Sequence, residues 1–206
     1  MTAQKNVGKQ VRARKKDSTR RMGPVGSENW HSMLDAAEKV LRDEGYGALT
    51  SRRIAEHLGI KQRLVYYYFE TMDDLIVAMF HRLKVRELES LNKAAATARP
   101  LTEIWYIGTH ASDSPVVTEF MALANRVPAL RAEVIDFIEQ SRRIQIEALT
   151  ATLKERGAQS PLPPAALAII ATSVALLVGR EAALGTTTGH AAVMEVIWKY
   201  LRELDS

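Results

Sequence analysis

The chain has 206 residues and a hydrophobic fraction of 47%, so it can bury a core as one large domain or as a small domain fused to a larger one. It contains no cysteine, which excludes disulfide bonds and thiolate metal sites and fits a reducing compartment. The most apolar stretch, 165–178, is too short to span a bilayer, and no apolar signal core follows the basic N-terminus. We therefore expect a cytoplasmic protein without membrane association.

The net charge of +4 is unevenly distributed along the chain. Residues 1–26, called the arm below, carry eight basic side chains and one acidic side chain, whereas the remaining residues sum to −3. The arm has few large apolar groups, so we expect it to be disordered without a partner. A basic segment on an acidic body is typical of a nucleic-acid-binding arm, although a solubilising tail would have the same composition.

From residue 27 onwards, apolar residues recur at helical spacing, which predicts an all-α fold. Ser27 is a suitable N-cap for a first helix that ends at Gly45. Thr50 caps a short second helix, which ends at Gly59, and a third short helix is predicted at about 61–67.

A fourth helix begins after Thr71 and shows one apolar face up to about residue 83. Beyond residue 85 the pattern changes, and prolines separate longer, more apolar segments. This pattern predicts helices at about 86–97, 101–110, 115–126, 129–156, 164–184 and 189–204.

The most informative segment is 50–69, in which two short helices meet at Gly59. Ala55 is small where the two helices approach each other, and Gly59 supplies the backbone freedom that a tight turn needs. The outward side of the second helix is predicted to carry Lys61, Gln62, Arg63, Tyr67 and Tyr68. Arginine can bond guanine and glutamine can bond adenine, so the pattern favours a helix-turn-helix that reads the major groove. An ordinary helical hairpin with a solvated charged face is the alternative.

Residues 28–83 resemble the N-terminal domain of the TetR (tetracycline-repressor) family of bacterial regulators. The resemblance rests, in chain order, on Glu44-Gly45-Tyr46, Leu49-Thr50, Ile54-Ala55, Leu58-Gly59-Ile60, Tyr66-Tyr67-Tyr68-Phe69, Thr71 and Leu75. It implies a three-helix helix-turn-helix DNA-binding domain at 27–73. It also implies a helical ligand-binding and dimerisation domain at 74–206, with about nine helices in all.

The resemblance implies a set of DNA-contacting residues between the second helix and the cap of the fourth. Gln62, Arg63 and Tyr67 would face base edges, where contacts specify the sequence. The others would bind the phosphate backbone or complete the interface: Thr50, Ser51, Arg52, Lys61, Leu64, Tyr66 and Thr71.

Two positions depart from the family pattern. Leu64 stands where the family often has Ser, Thr or Ala, and it would either press on a thymine methyl group or pack inward. Met72 stands where the family often has a lysine that meets a phosphate, which leaves the N-terminus of the fourth helix to bind that group. The arm could offset the missing lysine by reaching the minor groove or the flanking backbone.

The resemblance further implies a small-molecule pocket in the C-terminal domain. Its candidate residues, each of which could equally be ordinary core, are Trp105, Tyr106, Phe120, Met121, Asn125, Phe137 and Gln145. Helices 164–184 and 189–204 are apolar on more than one face, which predicts a homodimer through a four-helix bundle, with full burial in a monomer as the alternative.

The sequence as a whole predicts a sequence-specific transcriptional regulator, namely a repressor that a small-molecule effector releases from a palindromic operator. A regulator that is independent of ligands or controlled by a protein partner, or an activator, is the alternative. We do not expect an enzyme, a metal or a cofactor, because the five histidines show no metal-ligand spacing and no phosphate-loop or nucleophile motif is present.

Overall fold

The computed structural model describes residues 23–112 and 115–205, and the regular structure in these ranges is entirely helical, as predicted. The α-helices are α1 (Glu28–Glu44), α2 (Ser51–Leu58), α3 (Gln62–Tyr68), α4 (Met72–Ala95), α5 (Pro100–Ser112), α6 (Pro115–Leu123), α7 (Pro128–Glu155), α8 (Pro164–Ala183) and α9 (His190–Asp205). A short 3-10 helix at Tyr46–Ala48, which the sequence pattern did not predict, joins α1 to α2. Residues 1–22, most of the predicted arm, lie outside the described residues, and their predicted disorder remains a prediction.

The starts of α1, α2 and α4 and the end of α2 are fixed by residues that were predicted as caps. The hydroxyl groups of Ser27 and Thr50 each accept a hydrogen bond from a backbone N–H three residues further on. Gly59 ends α2 in the left-handed conformation, with φ of 66°, which a residue with a side chain rarely adopts. Thr71 and Asp74 form a reciprocal capping box at the start of α4.

Helix α4 is a single helix of 24 residues, whereas the sequence pattern had predicted a second helix from about residue 86. Neither glycine nor proline interrupts α4, so nothing in its sequence breaks the backbone hydrogen bonding. Its buried residues up to Leu83 belong to the core shared with α1 to α3, whereas Leu91 and Ala94 are buried outside that core. The change of sequence pattern at residue 85 therefore marks the point at which α4 leaves the core that it shares with α1 to α3.

One apolar core joins the helix-turn-helix to the first part of the C-terminal region. It extends from Met33 on α1 to Val134 on α7 and includes residues of α2, α3, α4 and α6. Phe80 of α4 is fully buried, and its ring packs edge-on against Phe120 and Phe137, with centroids 5.2 and 6.0 Å away. The predicted domain boundary at residues 73 and 74 lies within the first turn of α4 and remains a prediction.

Ion pairs hold α4 to α1 on one side and to α7 on the other. Arg82 places its guanidinium nitrogens 2.7 Å from Asp35 and 2.7 Å from Glu38 of α1. The buried Lys84 binds Glu133 and Asp136 of α7, with 2.9 Å to the latter. Because these contacts sit within one turn of each other, they fix the register of α4 against both neighbours.

The cluster around Lys84 shifts the pKa of each of its members. Burial lowers the pKa of Lys84, but its hydrogen bonds to Glu133 and Asp136 outweigh this effect and raise the pKa above its ordinary value. The same bonds lower the pKa of Glu133 and of Asp136, with His81 and Gln140 adding to the effect. The charged forms of Lys84, Glu133 and Asp136 are therefore favoured in the folded state near neutral pH.

Replacing Lys84 by methionine is expected to lower the free energy of unfolding by about 1–3 kcal/mol at neutral pH, because two carboxylates lose their shared cation. A carboxyl group with a lowered pKa stabilises the folded state at pH values above its ordinary pKa. This stability is lost as the pH falls through the lowered pKa. The difference between wild type and Lys84→Met should therefore shrink below about pH 4. Urea unfolding at fixed protein concentration measures both effects.

The matched control is Lys93→Met, since Lys93 is an exposed lysine in the last turn of the same helix. It should change the free energy of unfolding by about 0.5 kcal/mol or less at any pH. A loss for Lys84→Met that is equal at neutral and acid pH would contradict the ion-pair explanation.

Candidate nucleic-acid interface

Helices α2 and α3 form a compact helix-turn-helix. The turn between them is closed by a 3.0 Å hydrogen bond from the Ile60 backbone N–H to the carbonyl oxygen of Ala55. Ile54 and Ala55 of α2 and Val65 of α3 are buried in the core that α1 completes. The burial of these residues turns the opposite side of α3 to solvent, where it is free to enter a DNA groove.

The exposed side of α3 carries all three residues that were predicted to contact bases. Gln62, Arg63 and Tyr67 are exposed, as is Lys61 at the N-cap of the helix. Tyr68 was predicted on this side, and that prediction is wrong. Its ring is buried, because at helical spacing position 68 falls on the same face as the buried Val65.

Some of the cationic side chains of the helix-turn-helix are paired with carboxylates, and the others are not. Arg53 forms a two-pronged contact with Glu44, and Arg52 pairs with Glu56 at 2.8 Å. Lys61 and Arg63 form no ion pair with any residue that the structure describes. Two of the four cations are therefore free to meet phosphate or base, and both flank the start of α3.

A hydrogen-bonded chain connects α2 to α3 beneath this surface. The Gln62 amide nitrogen donates to Ser51 Oγ at 2.8 Å, and Ser51 Oγ donates to the Tyr66 hydroxyl at 3.0 Å. Ser51 is buried, so the structure places it under the interface, where it positions the side chains of Gln62 and Tyr66. Spacing alone had not separated this positioning role from direct contact.

The two positions that depart from the family pattern both face inward. Leu64 and Met72 are half-buried and pack against the core of the DNA-binding domain. For Leu64, the structure therefore favours inward packing over contact with a thymine methyl group.

The start of α4 offers little to a phosphate. Asp73 and Asp74 stand in its first turn, and Asp74 already occupies the helix N-terminus through the capping box with Thr71. A carboxylate in this position repels a phosphate that would otherwise bind the free backbone N–H groups. Thr50 and Thr71 are exposed at the two ends of the interface, although both hydroxyl groups are also engaged as caps.

The predicted effector residues separate into two places. Phe120, Met121 and Phe137 belong to the core around α4, or pack against it. Trp105 is buried on α5, and Gln145 of α7 accepts a 3.0 Å hydrogen bond from Thr172 of α8. The remaining two candidates, Tyr106 and Asn125, are exposed.

Three buried polar atoms in α5 and α7 have no hydrogen-bond partner among the described residues: Trp105 Nε1, Ser141 Oγ and Arg142 Nη1. Helices α5, α7 and α8 pack against one another, and Ser141 lies one turn from Gln145 on the inner face of α7. Each unsatisfied buried group costs about 1–3 kcal/mol, so each of these atoms calls for an explanation, and a ligand that supplies the missing partners is one. Sequence reasoning did not find Ser141 and Arg142, because isolated polar residues on a long helix look solvated.

A separate cavity of about 390 Å³ lies between the start of α5 and the end of α9. It contains none of the predicted effector residues and is lined by Arg99, Thr102, Trp198, Arg202 and Asp205. The buried carboxylate of Asp205 accepts hydrogen bonds from the first backbone N–H groups of α5, including that of Thr102 at 2.6 Å. This carboxylate therefore caps α5 and ties the end of α9 to it.

A helix-turn-helix whose second helix is exposed and cationic defines the class of this molecule as a DNA-binding protein. Residues 33–79 match the family model described as bacterial regulatory proteins, tetR family, which covers α1 from Met33 through most of the first half of α4. Over these residues, the resemblance to the N-terminal domain of the TetR family that was drawn from the sequence is therefore confirmed.

Solved structures share the fold over most of their length. A TetR transcription regulator from Haloarcula marismortui has a TM-score of 0.69 at 20% identity, covering 84% of this chain and 96% of that one. A TetR transcriptional regulator from Legionella pneumophila has a TM-score of 0.68 at 18% identity, covering 84% of this chain and 97% of that one. A transcriptional regulator from Saccharomonospora viridis in complex with choline has a TM-score of 0.65 at 15% identity, covering 73% of this chain and 83% of that one. At these identities the likeness establishes the fold alone, and a search of curated proteins finds no match.

Replacing Arg63 by alanine is expected to weaken binding to the preferred operator by about 1–3 kcal/mol and to relax its sequence preference, because Arg63 is the free guanidinium on the recognition helix α3. Lys61→Ala should instead weaken binding to all sequences alike and flatten the salt dependence by about 0.9 in log–log slope per lost phosphate contact. Fluorescence anisotropy with operator and random duplex measures both. An equal loss for Arg63→Ala on the two duplexes would contradict a base contact.

Proposed function

We propose that the protein is a homodimeric repressor that binds a palindromic operator through two copies of α3 and is released by a small-molecule effector. The exposed apolar surface on α8 and α9 is the observation that carries the proposal beyond DNA binding. One short recognition helix buries too little surface for tight specific binding. Helix-turn-helix proteins commonly overcome this limit by binding DNA as two-fold dimers.

The surface proposed for dimerisation consists of apolar side chains that α8 and α9 leave exposed. They are Ile169, Ile170, Leu176 and Leu177 on α8, Leu184 directly after it, and Val193, Val196 and Tyr200 on α9. By length and composition alone, α8 is also the one helix of the described chain that could cross a membrane. A second copy explains the surface better, because two such helix pairs would bury it as a four-helix bundle and present two recognition helices together.

Replacing Ile169 by glutamate is expected to produce a monomer, because the new charge would lie in the proposed interface without a partner. Wild-type protein should select a palindrome from a random DNA pool, with half-sites about 34–36 Å apart. Ile169→Glu should lose most of its affinity for that palindrome. Analytical ultracentrifugation and anisotropy measure the two effects.

The matched control is Ile135→Glu on α7, because Ile135 is 54% exposed and Ile169 is 52% exposed. The control should remain dimeric and keep its affinity for the palindrome. A wild-type monomer, or selected DNA without two-fold symmetry, would contradict the proposed dimer.

An effector site between α5, α7 and α8 is supported by the buried groups that lack partners. The complex of the Saccharomonospora viridis regulator with choline is a precedent for a small molecule bound by this fold. In this chain, Trp105 Nε1 and Arg142 Nη1 can only donate hydrogen bonds, and Gln145 already uses its oxygen as an acceptor for Thr172. We therefore propose an effector that accepts hydrogen bonds, such as an organic acid, rather than a cation.

Organic acids paired with their neutral amides test this chemistry, for example benzoate against benzamide and phenylacetate against phenylacetamide. We expect acids to release bound operator at concentrations at which their amides do not, because a guanidinium pairs with a carboxylate through charge-assisted hydrogen bonds. Arg142→Gln should abolish release, whereas Arg143→Gln, at the exposed neighbouring position, should not. Release by an effector without acceptor groups would contradict the proposed chemistry.

A further inference from the structure

The hydrogen-bonded chain beneath the recognition helix α3 has a direction. Gln62 Nε2 can only donate, so its 2.8 Å contact makes Ser51 Oγ the acceptor. The single proton of the Ser51 hydroxyl group is then donated to Tyr66 Oη, 3.0 Å away. Ser51 is buried, whereas Tyr66 is half-buried and Gln62 is exposed. One buried hydroxyl group therefore joins two side chains of α3 that remain accessible to DNA.

Both ends of this chain keep hydrogen-bonding groups that no described residue uses. The Tyr66 hydroxyl accepts from Ser51, so its own proton is left without an acceptor among the described residues. At the other end, Gln62 has its amide oxygen and one of its two amide N–H groups left over. The chain therefore offers one donor at Tyr66, and one donor and one acceptor at Gln62.

The group that suits the Tyr66 end is a phosphate oxygen of the DNA backbone, which accepts hydrogen bonds and cannot donate them. A phosphate at this position takes the tyrosine proton, so the Tyr66 oxygen can only accept from Ser51. Ser51 must then accept from Gln62, and the amide cannot turn over to present its oxygen to Ser51. A backbone contact at Tyr66 thereby fixes the orientation of the amide that faces the bases.

With its nitrogen tied to Ser51, the amide of Gln62 distinguishes the two purines. Adenine presents the N7 acceptor and the N6 donor in the major groove, which match the remaining N–H and the amide oxygen. Guanine presents two acceptors, N7 and O6, and the tied amide has only one N–H left for them. An untied amide could turn and offer both of its N–H groups to guanine. The contact with Ser51 therefore removes the arrangement in which guanine competes with adenine.

We infer that Ser51 is a specificity-determining positioning residue, which makes Gln62 prefer adenine to guanine when Tyr66 binds a phosphate. The inference rests on the proposed DNA-binding function of α3. It couples a base contact to a backbone contact through a buried serine that lies beneath both. Members of a hydrogen-bonded chain polarise one another, so each of the two contacts strengthens the other.

Two variants of the full chain test the coupling, because each removes one oxygen atom from the hydrogen-bonded chain. Wild type and Gln62→Ala first select DNA from a random pool, and the base pair whose preference Gln62→Ala loses is the pair that Gln62 reads. Fluorescence anisotropy then measures affinity for duplexes with adenine or guanine at that position. Wild type should prefer adenine about tenfold or more, because it forms one more hydrogen bond there. Ser51→Ala and Tyr66→Phe should each reduce this preference to about threefold or less.

A double variant and a control separate the coupling from a general loss of structure. Ser51→Ala combined with Tyr66→Phe should keep the preference of Ser51→Ala alone, because both substitutions break the same chain. The matched control is Ser32→Ala, since the Ser32 hydroxyl donates to the carbonyl oxygen of Glu28 within α1, at 2.9 Å. It should keep the wild-type preference. Melting temperatures establish which variants are folded, and either single variant decides the question if the other is not.

An adenine preference that survives in folded Ser51→Ala or Tyr66→Phe would overturn the inference, even if affinity fell equally for both duplexes. Wild-type protein that binds guanine as well as adenine, or Gln62→Ala that loses no base preference, would also overturn it, and neither result depends on the folding of the other variants. Wild-type protein that binds no duplex at all would mean that the proposed DNA-binding function itself fails. The wild-type titration separates this outcome from the others.

Discussion

The burial of α4 is the constraint on which the rest of the structure depends. Its residue Phe80 has no exposed surface and packs against Phe120 and Phe137, while the helix is ion-paired through Arg82 to α1 and through Lys84 to α7. The same helix therefore carries the helix-turn-helix core at one end and contacts the C-terminal helices along the rest. A shift of α7 cannot leave α1 unchanged unless one of these buried contacts is broken, because packed interiors deform little.

The features that the sequence predicted correctly are those that neighbouring residues encode. Helix starts at Ser27, Thr50 and Thr71 follow from side chains that bond backbone groups three residues away. The end of α2 follows from the left-handed conformation at Gly59. The exposed side of α3 could also be predicted, apart from Tyr68, because a seven-residue helix has room for one buried stripe only.

The features that could not be predicted depend on partners distant in the sequence. Ser51 is buried by α3, so its role beneath the interface follows from its contacts with Gln62 and Tyr66 and not from its position in the motif. Arg142 becomes a candidate only because its Nη1 atom is buried without an acceptor among the described residues. Gly23 belongs to residues 1–26, whose composition indicated disorder. No local sequence pattern indicates that it packs against the rings of Tyr67 and Tyr68.

Only some of the basic side chains of the helix-turn-helix are free to contact DNA, and this limits the affinity that the motif itself can supply. Of the four lysines and arginines between residues 50 and 69, Arg52 and Arg53 are held by carboxylates, which leaves Lys61 and Arg63 for DNA. Of these two, Arg63 is predicted to contact a base and Lys61 a phosphate, and one phosphate contact contributes only about 0.9 in log–log salt slope. In the proposed function, base contacts by α3 would determine which sequence is preferred but would add little to binding elsewhere.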